Sequence, residues 1–84
     1  MSLLTPREQE LVSLGAAMGS NCISCVEHHI PASRKAGLTD LQISEAIRLA
    51  DDLRQVPARK TLGRALDLLS EPMPATQAAN PCCG

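Results

Sequence analysis

Cys22, Cys25 and His29 stand three and four residues apart. On a helix advancing about 100° per residue, with Cys22 at zero, Cys25 falls near −60° and His29 near −20°. All three share about one-sixth of the circumference. Two thiols one turn apart can close a disulfide after one of them has attacked a substrate. An imidazole one turn beyond Cys25 is within reach as a base or ion-pair partner. The reactive form is the thiolate, and a free cysteine with a pKa of about 8.5 is mostly protonated at neutral pH. A helix N-terminus and a proton-accepting histidine both favour thiolate, whereas burial among apolar side chains opposes it. Val26, Ala32, Ser33 and Ala36 lie on or beside the same stripe. Glu27, His28 and Pro31 point elsewhere, so His28 reads as a surface residue. Glu10 lies at the edge of an apolar stripe on an earlier helix, and a carboxylate there could orient or protonate His29, or pass it a proton through water, if the two helices bring them together.

Other chemistries can use the same atoms. Two thiolates and one imidazole are three of the four ligands zinc prefers, and Cys82 or Cys83 could supply the fourth. Ligands on one rigid helix surround a metal poorly, so the metal or metalloid site built on Cys22, Cys25 and His29 ranks second. The third reading is an inert helical assembly module whose cysteines only pack. Cys82 and Cys83 end the chain before Gly84 and form a possible accessory redox pair. A tail of about a dozen residues reaches about 20 Å on average, enough to visit a neighbouring site.

The frame that must position these groups is small. The chain has 84 residues, 44% of them hydrophobic and 20% charged, and no Phe, Tyr or Trp. That is one globular domain with a core of Leu, Ala, Ile, Val and Met, and little area to bury. A net charge of −1 favours self-association over repulsion and excludes a nucleic-acid binder driven by bulk positive charge. The lack of aromatic residues removes any base-stacking platform. No apolar run is long enough to span a membrane, and Met1 to Glu10 lacks the pattern of an export signal. A cytoplasmic protein is expected, and in a reducing compartment paired cysteines suit catalysis or metal binding better than structural stapling.

Residues 1–70 read as an all-α bundle of about four helices, and 71–84 as a flexible Pro- and Ala-rich tail. Thr5, Pro6 and Glu8 open the first helix with a capping box, and Leu11, Leu14, Gly15 and Met18 follow at helical spacing. Gly19 suits the end of that helix and Asn21 the cap of the next. The second helix runs from about Cys22 to Ala36, with a kink or break expected at Pro31. Thr39 and Gln42 make a second capping box, and Ile43, Ala46, Ile47, Ala50 and Leu53 mark the buried stripe of a third helix. Val56–Pro57 should end it. A fourth helix then turns Ala58, Leu62, Ala65, Leu66 and Leu69 inward. Asp51, Asp52, Arg54, Arg59, Lys60 and Arg64 read as ordinary helix surface.

Cys22-Ile-Ser-Cys25-Val-Glu-His28-His29 follows a CxxCxxxH pattern, and Glu10 stands twelve positions before the first cysteine. With the Ala36-Gly37-Leu38-Thr39 turn and the amphipathic helix after it, the chain over residues 5–69 resembles the carboxymuconolactone decarboxylase superfamily, in its alkyl hydroperoxidase D-like thiol branch. The resemblance implies an all-helical trimer or hexamer with its site near a subunit interface. It implies peroxide or disulfide reduction by a cycling CxxC disulfide, no bound cofactor, and an external lipoyl-type dithiol or thiol redox partner as electron donor. The implied roles are Cys25 as attacking thiolate, Cys22 as its disulfide partner, His29 as activating base and Glu10 as proton relay. Helix-dipole reasoning alone would favour Cys22, but a base in contact outweighs a partial charge, so the attack is assigned to Cys25. Ser24 stands where the full-length antioxidant enzyme has a second histidine, and Pro31 falls in a helix the family usually keeps continuous. The decarboxylase branch does not depend on this cysteine pair, so lactone chemistry is not carried over.

Overall fold

Residues 2–72 are described in the computed structural model. Cys82 and Cys83, with the rest of 73–84, lie outside the described residues. Three helices form: α1 (Pro6–Gly19), α2 (Ile23–Lys35) and α3 (Asp40–Ser70), with no strand among the described residues. The fold is therefore an all-α bundle, and both capping boxes are present. Thr5 accepts from the Glu8 amide while Glu8 accepts from the Thr5 amide, and Thr39 and Gln42 do the same at the start of α3.

Each interhelical turn is closed by paired backbone bonds of the Schellman type. At the end of α1 the Cys22 amide donates to Ala17 and the Asn21 amide to Met18. At the end of α2 the Leu38 amide donates to Ser33 and the Gly37 amide to Arg34. That motif needs a left-handed residue one place after the cap, supplied by Asn21 (φ 55°) and Gly37 (φ 102°). Asn21 thus finishes α1 and does not cap α2, contrary to what its side-chain chemistry suggests. Cys22 is the N-cap of α2.

Gly37 also leaves room for Arg7, whose Nε donates to the Ala36 carbonyl at 3.3 Å. A methyl group at Gly37 would meet the Arg7 Nε and Nη2 atoms at 2.9 Å. Gly37→Ala is expected to cost about 1–2 kcal/mol from the left-handed backbone alone. Displacing Arg7 adds to that cost. A urea unfolding curve with an unchanged slope and a lower midpoint would record it.

Neither proline breaks its helix. α2 runs from Ile23 through Pro31 to Lys35, and α3 runs from Asp40 through Pro57 to Ser70, so the expected third and fourth helices are one. Each proline ring is on an exposed face. One missing amide then forfeits a bond at the wet side of the helix, where water can serve the freed carbonyl. Around Pro57 strong helix formers dominate, and side-chain bonds one turn apart flank it. Gln55 donates to Asp51, Arg59 to Gln55, and the Thr61 hydroxyl to the Pro57 carbonyl.

The core is correspondingly small. Leu14, Leu38 and Ile43 are its centre, with Ile30, Ala46 and Ile47 packed against them. Ala17 is buried as well, whereas Leu11 and Leu53, each on an expected apolar stripe, are exposed. The residues expected to face inward beyond Pro57 do not: Leu62, Leu66 and Leu69 are 60%, 55% and 80% exposed. With the helix unbroken, its second half continues away from α1 and α2 and never folds back over them.

Acid should loosen this frame through two surface carboxylates. Glu8 is held below its ordinary 4.5 by the Thr5 backbone amide and then the Thr5 side chain. Asp40 is held below 3.8 by hydrogen bonds from Arg34 and then by its charge. A folded pKa lower than the unfolded one means the charged form binds the native state better. The stabilisation is complete above the ordinary values and fades as pH falls through the folded ones. Asp40→Asn should therefore flatten the fall in unfolding midpoint as pH drops below about 4.

Candidate functional site

The α1–α2 junction does more than turn the chain. Because Cys22 caps α2, its Sγ accepts a hydrogen bond from the Cys25 amide at 3.3 Å. That arrangement places sulfur at the positive end of the helix. Cys22 and Cys25 form a disulfide, with Cα atoms 5.2 Å apart. Spacing of three across a cap and first turn accounts for this, since it brings the two Cα atoms into the usual bridging range of about 4.4–6.8 Å.

His29, one turn after Cys25, meets Glu10 of α1. The His29 Nδ1 to Glu10 Oε2 distance is 2.9 Å, and both side chains are about three-quarters buried (27% and 20% exposed). A carboxylate only accepts, so Nδ1 carries the hydrogen, and in the neutral ring Nε2 then keeps its lone pair. The pairing joins residues 19 apart and fixes the tautomer that can take a proton from a thiol. Below it, Ser33 is fully buried and its hydroxyl donates to the His29 carbonyl at 2.6 Å. His28 is exposed and stands edge-on to His29, with ring centroids 4.8 Å apart.

The four residues singled out from the sequence thus form two pairs: the Cys22–Cys25 disulfide at the start of α2, and His29, one turn after Cys25, hydrogen-bonded to Glu10 of α1. Among the described residues, no group of three or more His, Cys, Asp or Glu side chains is arranged to hold a metal ion. The possible fourth ligands, Cys82 and Cys83, lie outside the described residues.

Arg54, ordinary helix surface on its sequence, has a structural task. Its Nη1 donates to the Asn21 side-chain oxygen at 2.7 Å and to the Met18 carbonyl at 3.1 Å, while Nε donates to Asp51 at 2.8 Å. An arginine of α3 thereby ties down the turn that presents Cys22. The sequence signals for this are weak, because the partners lie 33 and 36 residues away. Only Asn21, apt for a left-handed position, hints at a turn to be held. A cavity of about 340 Å³ opens beside it, lined by Ala17, Met18, Ile23 and Val26 together with Cys22 and Arg54.

No described helix is long and apolar enough to cross a membrane. Comparison with known proteins gives a family match over most of the chain: the carboxymuconolactone decarboxylase family aligns with residues 2–68. A protein of Paracoccus denitrificans, described as "Uncharacterized protein 4 in cox locus", is 34% identical over 68 residues. The match takes in 81% of this chain and 61% of that protein, so the chain spans about three-fifths of its relative's length. No solved structure matches.

Proposed function

The chain belongs to the carboxymuconolactone decarboxylase family, and from that premise we propose that it is a thiol–disulfide oxidoreductase of the alkyl hydroperoxidase D-like kind, reducing peroxides or disulfides. One observation carries the reading: a Cys22–Cys25 disulfide one turn from a histidine that is hydrogen-bonded to a carboxylate. In the reduced protein His29 Nε2 takes the Cys25 proton, and Glu10 stabilises the imidazolium through Nδ1. The Cys25 thiolate attacks the terminal oxygen of a hydroperoxide. The O–O bond breaks, an alkoxide leaves and takes the proton, and Cys25 becomes the sulfenic acid. Cys22 attacks that sulfur and expels water, which closes the disulfide. An external dithiol of lipoyl type supplies the two electrons that reopen it. No bound cofactor enters this scheme, which suits a reducing cytoplasm.

The bare half of α3 supports a further part of the proposal, assembly into a homo-oligomer, with a trimer or hexamer as the resemblance implies. Leu62, Leu66 and Leu69 stand exposed among the described residues. A second apolar surface, a groove of about 460 Å³ between α1 and α3 floored by Gly15, Ala46 and Ala50, is likewise open. Two unpartnered apolar surfaces on a chain of net charge −1 suit contact between copies.

Peroxide turnover with a lipoyl-type dithiol tests the chemistry. Cys25→Ser should not react with peroxide at all. Cys22→Ser should consume one equivalent, leave a sulfenic acid at Cys25 and stop. Stoichiometric zinc in protein purified without chelator would overturn the proposal in favour of the metal site. Two slow thiols of ordinary pKa would overturn it in favour of the inert module.

A further inference from the structure

The two sulfurs of the disulfide do not face the same surroundings. Cys25 has His29 one turn beyond it, and Cys22 opens onto the cavity that Ala17, Met18, Ile23, Val26 and Arg54 line. Cys25 is not part of that lining. We propose that the reducing thiol enters through this cavity and attacks Cys22 Sγ, and that the cavity selects thiols carried on an aliphatic chain. The inference rests on the disulfide cycle above and adds which sulfur meets the donor and what shape of donor is admitted.

The chemistry is consistent with each sulfur's place. A thiolate attacks a disulfide along the S–S axis, so it must approach Cys22 from the side away from Cys25. The bond from donor sulfur to Cys22 forms as the Cys22–Cys25 bond breaks, and Cys25 leaves as a thiolate. The imidazolium form of His29 returns a proton to it. A second thiol then attacks the donor sulfur of the mixed disulfide and expels Cys22. The products are an oxidised donor and two reduced cysteines, a balanced two-electron exchange. Cys22 is suited to leave in that second step, because as N-cap it has the Cys25 amide 3.3 Å from its sulfur and the positive end of α2 behind it.

The walls decide what enters. Asn21 and Glu27 complete a lining of eight residues, half of them apolar, yet the surface it exposes is mostly apolar, which favours a hydrocarbon chain over a hydrated one. The volume, about 340 Å³, suits a small molecule. Arg54 positions this cavity, since its bonds to Asn21 and the Met18 carbonyl fix the turn that carries both Met18 and Cys22. The occupant is therefore a low-molecular-weight alkyl thiol or dithiol.

The test uses the oxidised full-length protein with 1-hexanethiol and 2-mercaptoethanol at matched thiolate concentration. Free thiols are blocked with N-ethylmaleimide at short times and the adduct is mapped by peptide mass spectrometry. The adduct is expected on Cys22, forming at least about tenfold faster with hexanethiol. Ile23→Asn, at a position 76% exposed and therefore safe for folding, should narrow that preference without moving the adduct. An adduct on Cys25, equal rates for the two thiols, or an unchanged preference in Ile23→Asn would each overturn the inference. Peroxide turnover is measured separately. Its absence alongside a Cys22 adduct would sink the peroxidase reading alone, and a Cys25 adduct alongside normal turnover would sink only the present one.

Discussion

At neutral pH, His29→Ala is expected to lower kcat/KM for peroxide by about 10²–10⁴, the usual worth of a positioned general base. Glu10→Gln should lose about 10²-fold, for a different reason. A glutamine can present its amide NH2 to Nδ1, which then becomes the acceptor and moves the hydrogen to Nε2, the wrong tautomer for taking a thiol proton. Even with its oxygen turned inward, the substituted amide would lack the charge that stabilises the imidazolium. Both losses should shrink as pH rises past about 8.5, where a cysteine ionises unaided and no longer needs the base. That alkaline recovery is the discriminating readout. A merely structural role for the pair would give a deficit constant with pH, and would show in the unfolding midpoint. A pH-independent loss in Glu10→Gln with unchanged stability would end the proton-relay assignment.

The parts of this site that sequence reveals are those governed by local rules. Thr5 with Glu8, and Thr39 with Gln42, announce helix starts because both partners of a capping box lie three residues apart. Cys25 and His29 are legible for the same reason, since helical period puts them on one side of α2, while Cys22, its N-cap, is joined to Cys25 by a spacing of three across the cap. Glu10 stands out because it sits at the edge of a stripe, although its bond to His29 crosses between helices. Arg54 does not, because nothing near it in sequence distinguishes a surface arginine from one that grips a turn 33 residues away. The prolines mislead in a more instructive way. Pro57 reads as the end of a helix on the strength of its backbone chemistry, which costs about 3 kcal/mol in a helix interior. Propensity on either side outweighs it, and one uninterrupted α3 replaces two packed helices. That single difference turns an expected closed bundle into a short body with a long bare arm.

The arm makes the strongest claim on a second copy. Beyond Asp51, α3 continues for 19 residues to Ser70, about 28 Å at 1.5 Å per residue. A lone helix of that length with a proline inside it is marginal in water, and in proteins most helical stability comes from burying an apolar face. Among the described residues Leu62, Leu66 and Leu69 of this face stand exposed, and a second copy is the cover proposed for them. Leu62 and Leu66, one turn apart, are the residues to change. If they were free surface in the working protein, Leu62→Asp with Leu66→Asp would alter stability by no more than about 1 kcal/mol in all, as surface substitutions do. If a second copy covers them, each costs more than the roughly 2–5 kcal/mol of a buried leucine truncation, because a charge is left in an apolar contact. The expected result is an oligomer in the native protein by light scattering, with a Tm that rises with protein concentration. The double variant should then run at the mass of one chain, lose helical signal over the arm, and melt more than about 10 °C lower. Native protein that runs at the mass of one chain with its full helix intact would remove the second copy from the account. The arm's leucines would then have no partner to explain them.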